Sequence, residues 1–390
     1  MPPRTTSRFE NLENSLVKVI QEPGADKDVS GGMRVLLWLL KGVSRLFAGI
    51  VRARALFYRV GVNRRFPLGC QVISVGNITA GGTGKTPVVE KLARELQAEG
   101  RKVAILSRGY RKKEDPWRTR TFNPNPPRVV SDGTTVRLDS EKGGDEPYML
   151  ARNLPGVVVV VDKNRVKAGR LAIEKHGCDV LVLDDGFQYQ KLDHSLEVVL
   201  VDKTNPFGNG HLLPRGILRE PVKNLRRADF IFITKSDGDT ASVREKIRRH
   251  NKTADIIECR HAPRELRDAR TGETLPLEWM DGKKIHALSG IANPRGFLGF
   301  VKKYGGVLVG DERFADHHRY TAAEILAAIN AAAEKGADAL VTTEKDAVRF
   351  PPLESPAVPV YYLRVEIELL DGAENFEGVV RRICDRKPIF

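Results

Sequence analysis

The chain has 390 residues, 41% of them apolar and 29% charged, with a net charge of +14. That length accommodates two packed domains, and the composition is ordinary for a globular protein. The charge calls for an anionic partner, whether nucleotide, nucleic acid or acidic lipid, while four cysteines far apart in sequence exclude zinc spacing and a disulfide framework.

Residues 1–32 are polar and carry no apolar core, so a mobile tail without a cleavable leader is expected. Residues 33–60 read MRVLLWLLKGVSRLFAGIVRARALFYRV. Their uncharged runs fall far short of the ~20 residues a spanning helix needs. Arg34, Lys41, Arg45, Arg52 and Arg59 are seven, four, seven and seven apart, so at ~100° per residue they form one stripe of a helix. Leucines, valines and phenylalanines cover much of the remainder, and only Arg54 departs from the pattern. A basic stripe beside a broad apolar face suits a membrane interface. The alternative is a helix packed on the protein's own core with an arginine edge.

The short apolar strand QVISV (71–75) leads into GNITAGGTGKTP (76–87), and helical spacing follows from Pro87 to Ala98. A glycine-rich loop between strand and helix is the context of a phosphate-binding P-loop. Gly81, Gly82 and Gly84, with Thr83 between them, let backbone N–H groups curl around phosphate oxygens, and the helix start adds its positive end. Lys85 is placed to reach the β and γ phosphates, and Thr86 to offer its hydroxyl to magnesium. Two positions depart from common patterns. Thr79 stands where the usual loop has a glycine, and Ala80 stands where partitioning ATPases with a similar GGTGKT loop carry a signature lysine.

Strand-like runs continue at Val103–Leu106, Val157–Val161, Asp179–Asp184, Leu196–Asp202 and Asp229–Thr234, with a helical run at Arg165–His176. The alternation implies an α/β fold: a P-loop NTPase-like, mainly parallel sheet covered by helices. DVLVLDDG (179–186) is an apolar strand ending in Asp184 and Asp185, the pattern of a second magnesium element or simply an acidic turn. ITKSD (233–237) resembles the guanine-reading tetrad of GTPases, though the same residues also suit an ordinary loop.

Seven stretches, in chain order, carry a more specific resemblance: SVGNITAGGTGKTP, LSRGY (106–110), GDEPYMLA (144–151), LDDGFQ (183–188), FGNGHLLPRGILREP (207–221), FADHHRYT (314–321) and VTTEKDAV (341–348). Together they resemble the tetraacyldisaccharide 4'-kinases. The resemblance implies transfer of the γ-phosphate of ATP, with Mg2+, to the 4'-hydroxyl of an acylated disaccharide 1-phosphate. It implies work at the cytoplasmic face of a bacterial inner membrane. It also assigns residues. Asp145 matches the family's catalytic aspartate and His317 its histidine partner, with His318 an open alternative; Asp145 could instead cap a helix before Pro147. Gln188 and Arg219 match positions near the active site. Asp185 is expected near the metal or γ-phosphate, and magnesium on Thr86 and Asp184, with Glu146 a further candidate. Arg219 would neutralise the transferring phosphoryl group, unless it is only a surface ion pair. TTEKD (342–346) has no assigned role.

Residues 61–254 are expected to form the nucleotide-binding core. Stretches 255–281 and 356–370 would form a linker ribbon around a smaller lobe, 282–355, with 371–390 a helix docking on the core. Lobe closure would then bring His317 to Asp145 and exclude water. A monomer is expected. Two rivals remain: a membrane-associated P-loop ATPase or GTPase acting as a regulator. A nucleic-acid partner is not expected, because no aromatic platforms interleave with the basic residues.

Overall fold

The structure, a computed structural model, describes residues 8–22, 24–26, 29–109 and 126–385. The chain opens with α1 (Arg8–Gln21), α2 (Gly31–Arg59), β1 (Gln71–Asn77) and α3 (Lys85–Ala98). Next come β2 (Val103–Ser107), β3 (Arg128–Asp132), α4 (Ser140–Gly143), α5 (Asp145–Asn153), β4 (Val158–Val161) and α6 (Arg165–His176). Then follow β5 (Val180–Asp184), β6 (Leu196–Asp202), β7 (Phe230–Thr234), α7 (Ala241–Arg248), β8 (Asp255–Asp268), β9 (Thr274–Leu275) and β10 (Lys284–Ser289). The last run is α8 (Pro294–Lys303), β11 (Val307–Arg313), α9 (Ala322–Glu334), β12 (Ala339–Thr343), α10 (Glu344–Ala347), β13 (Val360–Asp371) and α11 (Ala373–Cys384). Residues 110–125 lie outside the described residues, and β3 and α4 follow from 128.

Two compact units emerge. The first comprises residues 1–103, 177–260 and 369–390, the second residues 104–176 and 261–368. This differs from the expected boundary, since 104–176 joins the C-terminal residues instead of the P-loop core. The reason is local. Helix α5 is tied to α10, with Asn153 Nδ2 donating to Glu344 Oε1 at 2.7 Å and Lys345 Nζ to Glu146 Oε1 at 3.1 Å.

In the first unit, β5, β1, β6, β7 and β8 lie side by side and run parallel. Strands β5, β6 and β7 are mainly apolar and buried, as a sheet covered on both faces requires. The core on one side joins Phe187, Val199, Val201, Ile231, Ile233 and Ile247, all buried. Because the strands are parallel, their carboxyl ends lie on one edge, which is where open α/β sheets bind ligands. Asp184, Asp202 and Thr234 all sit there, with the loop after Asn77. The C-terminal helix α11 docks on this unit, with Phe376 edge-on to Phe232 at 6.1 Å between centroids.

In the second unit, β11, β10, β12 and β13 form a parallel set, and β2, β4 and β3 form another in which β3 runs antiparallel. Strands β8 and β13 are neighbours, joined at one end by Ala269 N–H donating to Val360 O at 2.8 Å.

Helix α2 carries two apolar surfaces, not one broad face. Met33, Leu37, Ser44 and Ala48, at helical spacing, are buried, and Ser44 Oγ donates to Leu212 O at 2.9 Å. Val35, Trp38, Leu39, Val43, Leu46, Ile50 and Phe57 stay exposed, Trp38 at 72%. All five residues of the basic stripe are exposed between these surfaces. Residues 8–21, expected within a mobile tail, form α1, because Val19 packs against Met33 and Leu37.

One glycine fixes how the first unit assembles. A Cβ on Gly76 in β1 would lie 2.6 Å from Phe187 Cβ and 2.7 Å from Phe187 N. The turn after β5 therefore rests directly on the β1 backbone. Gly76→Ala is expected to destabilise the fold by about 1–3 kcal/mol through overpacking. Urea unfolding measures this, and an unchanged midpoint would reject the packing argument.

Candidate functional site

The first unit carries the loop. Gly81 has φ +108° and Gly84 φ +80°, conformations open to glycine at no steric cost. A Cβ on Gly81 or Gly82 would meet nothing within 4 Å, so open space lies beside both, and at Gly81 it is the positive φ that calls for glycine. Thr83 and Thr86 are buried, and α3 begins at Lys85. The four free N–H groups of that helix's first turn and its positive dipole end make an anion site.

Around the loop stands a charged cluster. Lys85 Nζ lies 3.3 Å from Asn77 Oδ1 and 3.6 Å from Asp185 Oδ1. Arg219 grips Asp185 bidentately, Nη1 to Oδ1 at 2.8 Å and Nη2 to Oδ2 at 3.0 Å. Gln188 Nε2 donates to Asn77 O at 2.9 Å. Asp185 has φ +57°, a left-handed conformation that aspartate tolerates better than most residues. Arg219 arrives because its segment is zipped to the loop's start: Ala80 N–H donates to Ile217 O and Arg219 N–H to Ile78 O, both at 2.7 Å.

The structure thus gathers Lys85, Asp185, Gln188 and Arg219 beside the glycine loop. Asp184, one residue earlier at the end of β5, is buried. Two other charged side chains on this segment, Arg215 and Glu220, are engaged elsewhere. Arg215 pairs with Asp26 at 2.8 Å. Glu220 is held by Arg227 at 3.1 Å and by Asn224 at 2.6 Å.

The second unit carries a second cluster. Asp145 is the first residue of α5 and is buried; the cap is Gly144, so the alternative of Asp145 as the capping residue does not hold. Arg349 Nε donates to Asp145 Oδ2 at 2.8 Å, Arg319 Nη2 donates to Oδ1 at 3.0 Å, and His317 Nδ1 lies 3.4 Å from Oδ2. His318 lies apart, with Nε2 3.1 Å from Glu324 Oε1 and its ring stacked on Phe314. Asp145 and His317 belong to the same compact unit, so their contact needs no movement between the two units, contrary to the expected closure. His317 has φ +62°, and its N–H donates to Gly290 O at 3.2 Å.

Arg319 and Arg349 were not found by sequence reasoning. The side chain of Arg349 is 0% exposed, and it bridges Asp145 to Asp346 Oδ1 at 3.2 Å. Asp346 in turn takes the Gly290 N–H at 3.1 Å, the Tyr320 hydroxyl at 2.9 Å and the Thr343 hydroxyl at 2.6 Å. Burial, then the Asp346 charge, pushes the Tyr320 phenol well above its ordinary range, so it remains a donor. The TTEKD element therefore caps α10 through Thr343 and braces the arginine that holds Asp145. A cation inside the apolar run AVRFPP, directly after that motif, was the available signal.

Magnesium needs hard oxygen ligands, and it keeps several waters while taking one or two carboxylates with substrate phosphates. The Thr86 hydroxyl and Asp184 carboxylate, both buried in the first unit, supply that chemistry. Among the described residues, no three His, Cys, Asp or Glu side chains gather to enclose a metal alone. Phosphate oxygens and water would complete the shell. Glu146 belongs to the second unit, where Lys345 pairs with it.

A family model described as tetraacyldisaccharide-1-P 4'-kinase matches residues 36–384. The tetraacyldisaccharide 4'-kinase of Anaeromyxobacter dehalogenans (strain 2CP-C) is 41% identical over 339 residues, covering 86% of this chain and 87% of that one. The tetraacyldisaccharide 4'-kinase of Syntrophus aciditrophicus (strain SB) is 38% identical, covering 95% of this chain and 98% of its own. Among solved structures, the "apo" form of LpxK from Aquifex aeolicus in complex with ATP matches with a TM-score of 0.70 at 29% identity. It covers 89% of this chain and 99% of that one. The order of the motifs, the glycine loop beside Lys85 and the extent of these matches agree, and the chain belongs to the family of tetraacyldisaccharide-1-P 4'-kinases.

Proposed function

We propose that this protein transfers the γ-phosphate of ATP to the 4'-hydroxyl of a tetraacyldisaccharide 1-phosphate, working on a membrane surface. One observation carries the chemical part: the chain that holds a P-loop lysine also holds a buried carboxylate, Asp145, steadied by two arginines and a histidine.

The roles follow from charge. Phosphoryl transfer is mainly positioning and neutralisation. Backbone N–H groups of residues 81–86 and Lys85 hold the triphosphate, and Arg219 neutralises charge that develops on the transferring group. Thr86 and Asp184 would hold magnesium, which would supply positive charge against the phosphates. The sugar hydroxyl oxygen bonds to the γ-phosphorus as the bond from that phosphorus to the β–γ bridging oxygen breaks. The hydroxyl proton passes to Asp145, and ADP leaves with the bridging oxygen. His317 orients the carboxylate.

The membrane part rests on α2. Among the described residues, no helix is long and apolar enough to cross a membrane. The exposed Val35, Trp38, Leu39, Val43, Leu46 and Ile50 form a face that lies in an interface, with the basic stripe beside anionic headgroups. The cytoplasmic leaflet of the inner membrane, where ATP is available, is the surface proposed.

Label from γ-labelled ATP should appear on tetraacyldisaccharide 1-phosphate in detergent; label appearing only as free phosphate would reject the kinase reading. Arg349→Gln should leave Asp346 without its buried cation and Asp145 with Arg319 as its remaining arginine, and cost about 3–5 kcal/mol of stability, with turnover falling as Asp145 loses part of its brace. Full stability on denaturant unfolding would contradict this role. Trp38→Ala with Leu46→Ala should cut co-sedimentation with anionic vesicles by about tenfold or more, since each apolar side chain contributes about 1.5–3 kcal/mol on burial. Unchanged sedimentation would remove the anchor.

A further inference from the structure

The turn after β7 has no part in the chemistry above, yet it is built against the phosphate loop. The Thr234 hydroxyl donates to Thr83 O at 2.8 Å, with both residues buried. Ser236 is buried as well; its hydroxyl donates to the Glu258 carboxylate, which also takes the Thr240 hydroxyl at 2.8 Å and Arg244 Nη2 at 3.2 Å. The Ser236 N–H donates to Cys259 O at 3.1 Å. Lys235 has φ +54° and is drawn back to Asp202 Oδ2 at 2.5 Å. Three of the four side chains in Thr234–Asp237 thus serve to fix the turn. The fourth points away: the Asp237 side chain is 76% exposed, with Lys203 Nζ on one oxygen, Oδ1.

A rigid turn that is bonded to a phosphate loop and presents one carboxylate has the form of a base-reading element. An ionised carboxylate is acceptor-only. Guanine offers two adjacent donors on one edge, N1–H and the 2-amino group. Adenine offers its 6-amino donor next to N1, an acceptor, which a carboxylate repels. Thr234, Lys235, Ser236 and Asp237 also match the guanine-reading tetrad in order. We propose that Asp237 forms a guanine-reading subsite beside the P-loop, so that guanine nucleotides bind this chain as well as adenine nucleotides do. Lys203 on Oδ1 orients the carboxylate, and Oδ2 takes the base. This deepens the nucleotide-binding reading and rests on it.

The test is competition of GDP, ADP and xanthosine diphosphate against a ribose-labelled fluorescent nucleotide, using the full chain in detergent with magnesium. Wild type should bind GDP at least as tightly as ADP. Asp237→Asn preserves shape at an exposed position but replaces one acceptor oxygen by a donor amide. It should lower the GDP-to-ADP affinity ratio about tenfold, the scale of a lost charge-assisted hydrogen-bond pair. It should also gain affinity for the xanthine nucleotide, whose 2-carbonyl accepts where guanine's 2-amino donates. A wild type that binds ADP but not GDP, or an Asp237→Asn variant with the wild-type ratio, overturns the subsite alone. A wild type that binds no nucleotide overturns the subsite together with the reading beneath it.

Discussion

Asp185 is balanced by two cations that a triphosphate also attracts. Arg219 holds both its oxygens, and Lys85 sits 3.6 Å from one of them. Removing one member of such a partly buried group would strand the others' charges, which costs more than the pair contributes. The cluster therefore pre-positions Lys85 and Arg219 at the loop before any phosphate arrives, and less reorganisation is left for the reacting state. This arrangement depends on close backbone packing. Gly76 lets the turn after β5 rest on β1, and the segment 217–219 is zipped to Ile78 and Ala80. Two pieces of chain distant in sequence, the turn after β5 and residues 217–219, are thereby held beside one glycine loop.

The second unit solves a related problem with other means. Asp145 is buried, and a buried carboxylate needs compensation to remain charged. Arg349 provides it from a fully buried position and is itself held by Asp346. Asp346 is satisfied in turn by Gly290, Tyr320 and Thr343. A chain of hydrogen bonds thus links the start of α5 to the cap of α10. Such a network fixes a carboxylate's orientation more tightly than one contact would, and orientation is what a general base requires.

Much of this was legible in the sequence, for identifiable reasons. Runs such as Val180–Leu183 and Val198–Val201 are buried on both faces, so they read as unbroken apolar stretches. The helix Arg165–His176 and the loop-to-helix step at Lys85 follow local patterns that chemistry restricts. The pairing of Asp145 with His317 came from resemblance, since 172 residues separate them and no local pattern links positions so far apart. Arg349 and Arg319 escaped notice because an arginine's burial depends on tertiary packing, and single arginines are common on surfaces. The same limit applied to α2. Its spacing showed an amphipathic helix but did not separate the apolar residues that dock, Met33 and Leu37, from those that stay exposed, Trp38 and Leu46. The unit boundary was missed because the ties between α5 and α10 span nearly 200 positions of chain, as in the Asn153–Glu344 bond with its separation of 191.

The central claim is a division of labour, with one cluster holding the nucleotide and the other removing a proton. Parallel measurement of ATP affinity and of phosphate transfer to the lipid in Lys85→Ala and Asp145→Asn tests it most directly. Lys85→Ala should lose both, whereas Asp145→Asn should keep its ATP affinity within about threefold and lose turnover by about 10²–10⁴-fold, the range for a general base. An Asp145→Asn protein that turns over like wild type, or that loses ATP affinity as severely as Lys85→Ala, would contradict the account.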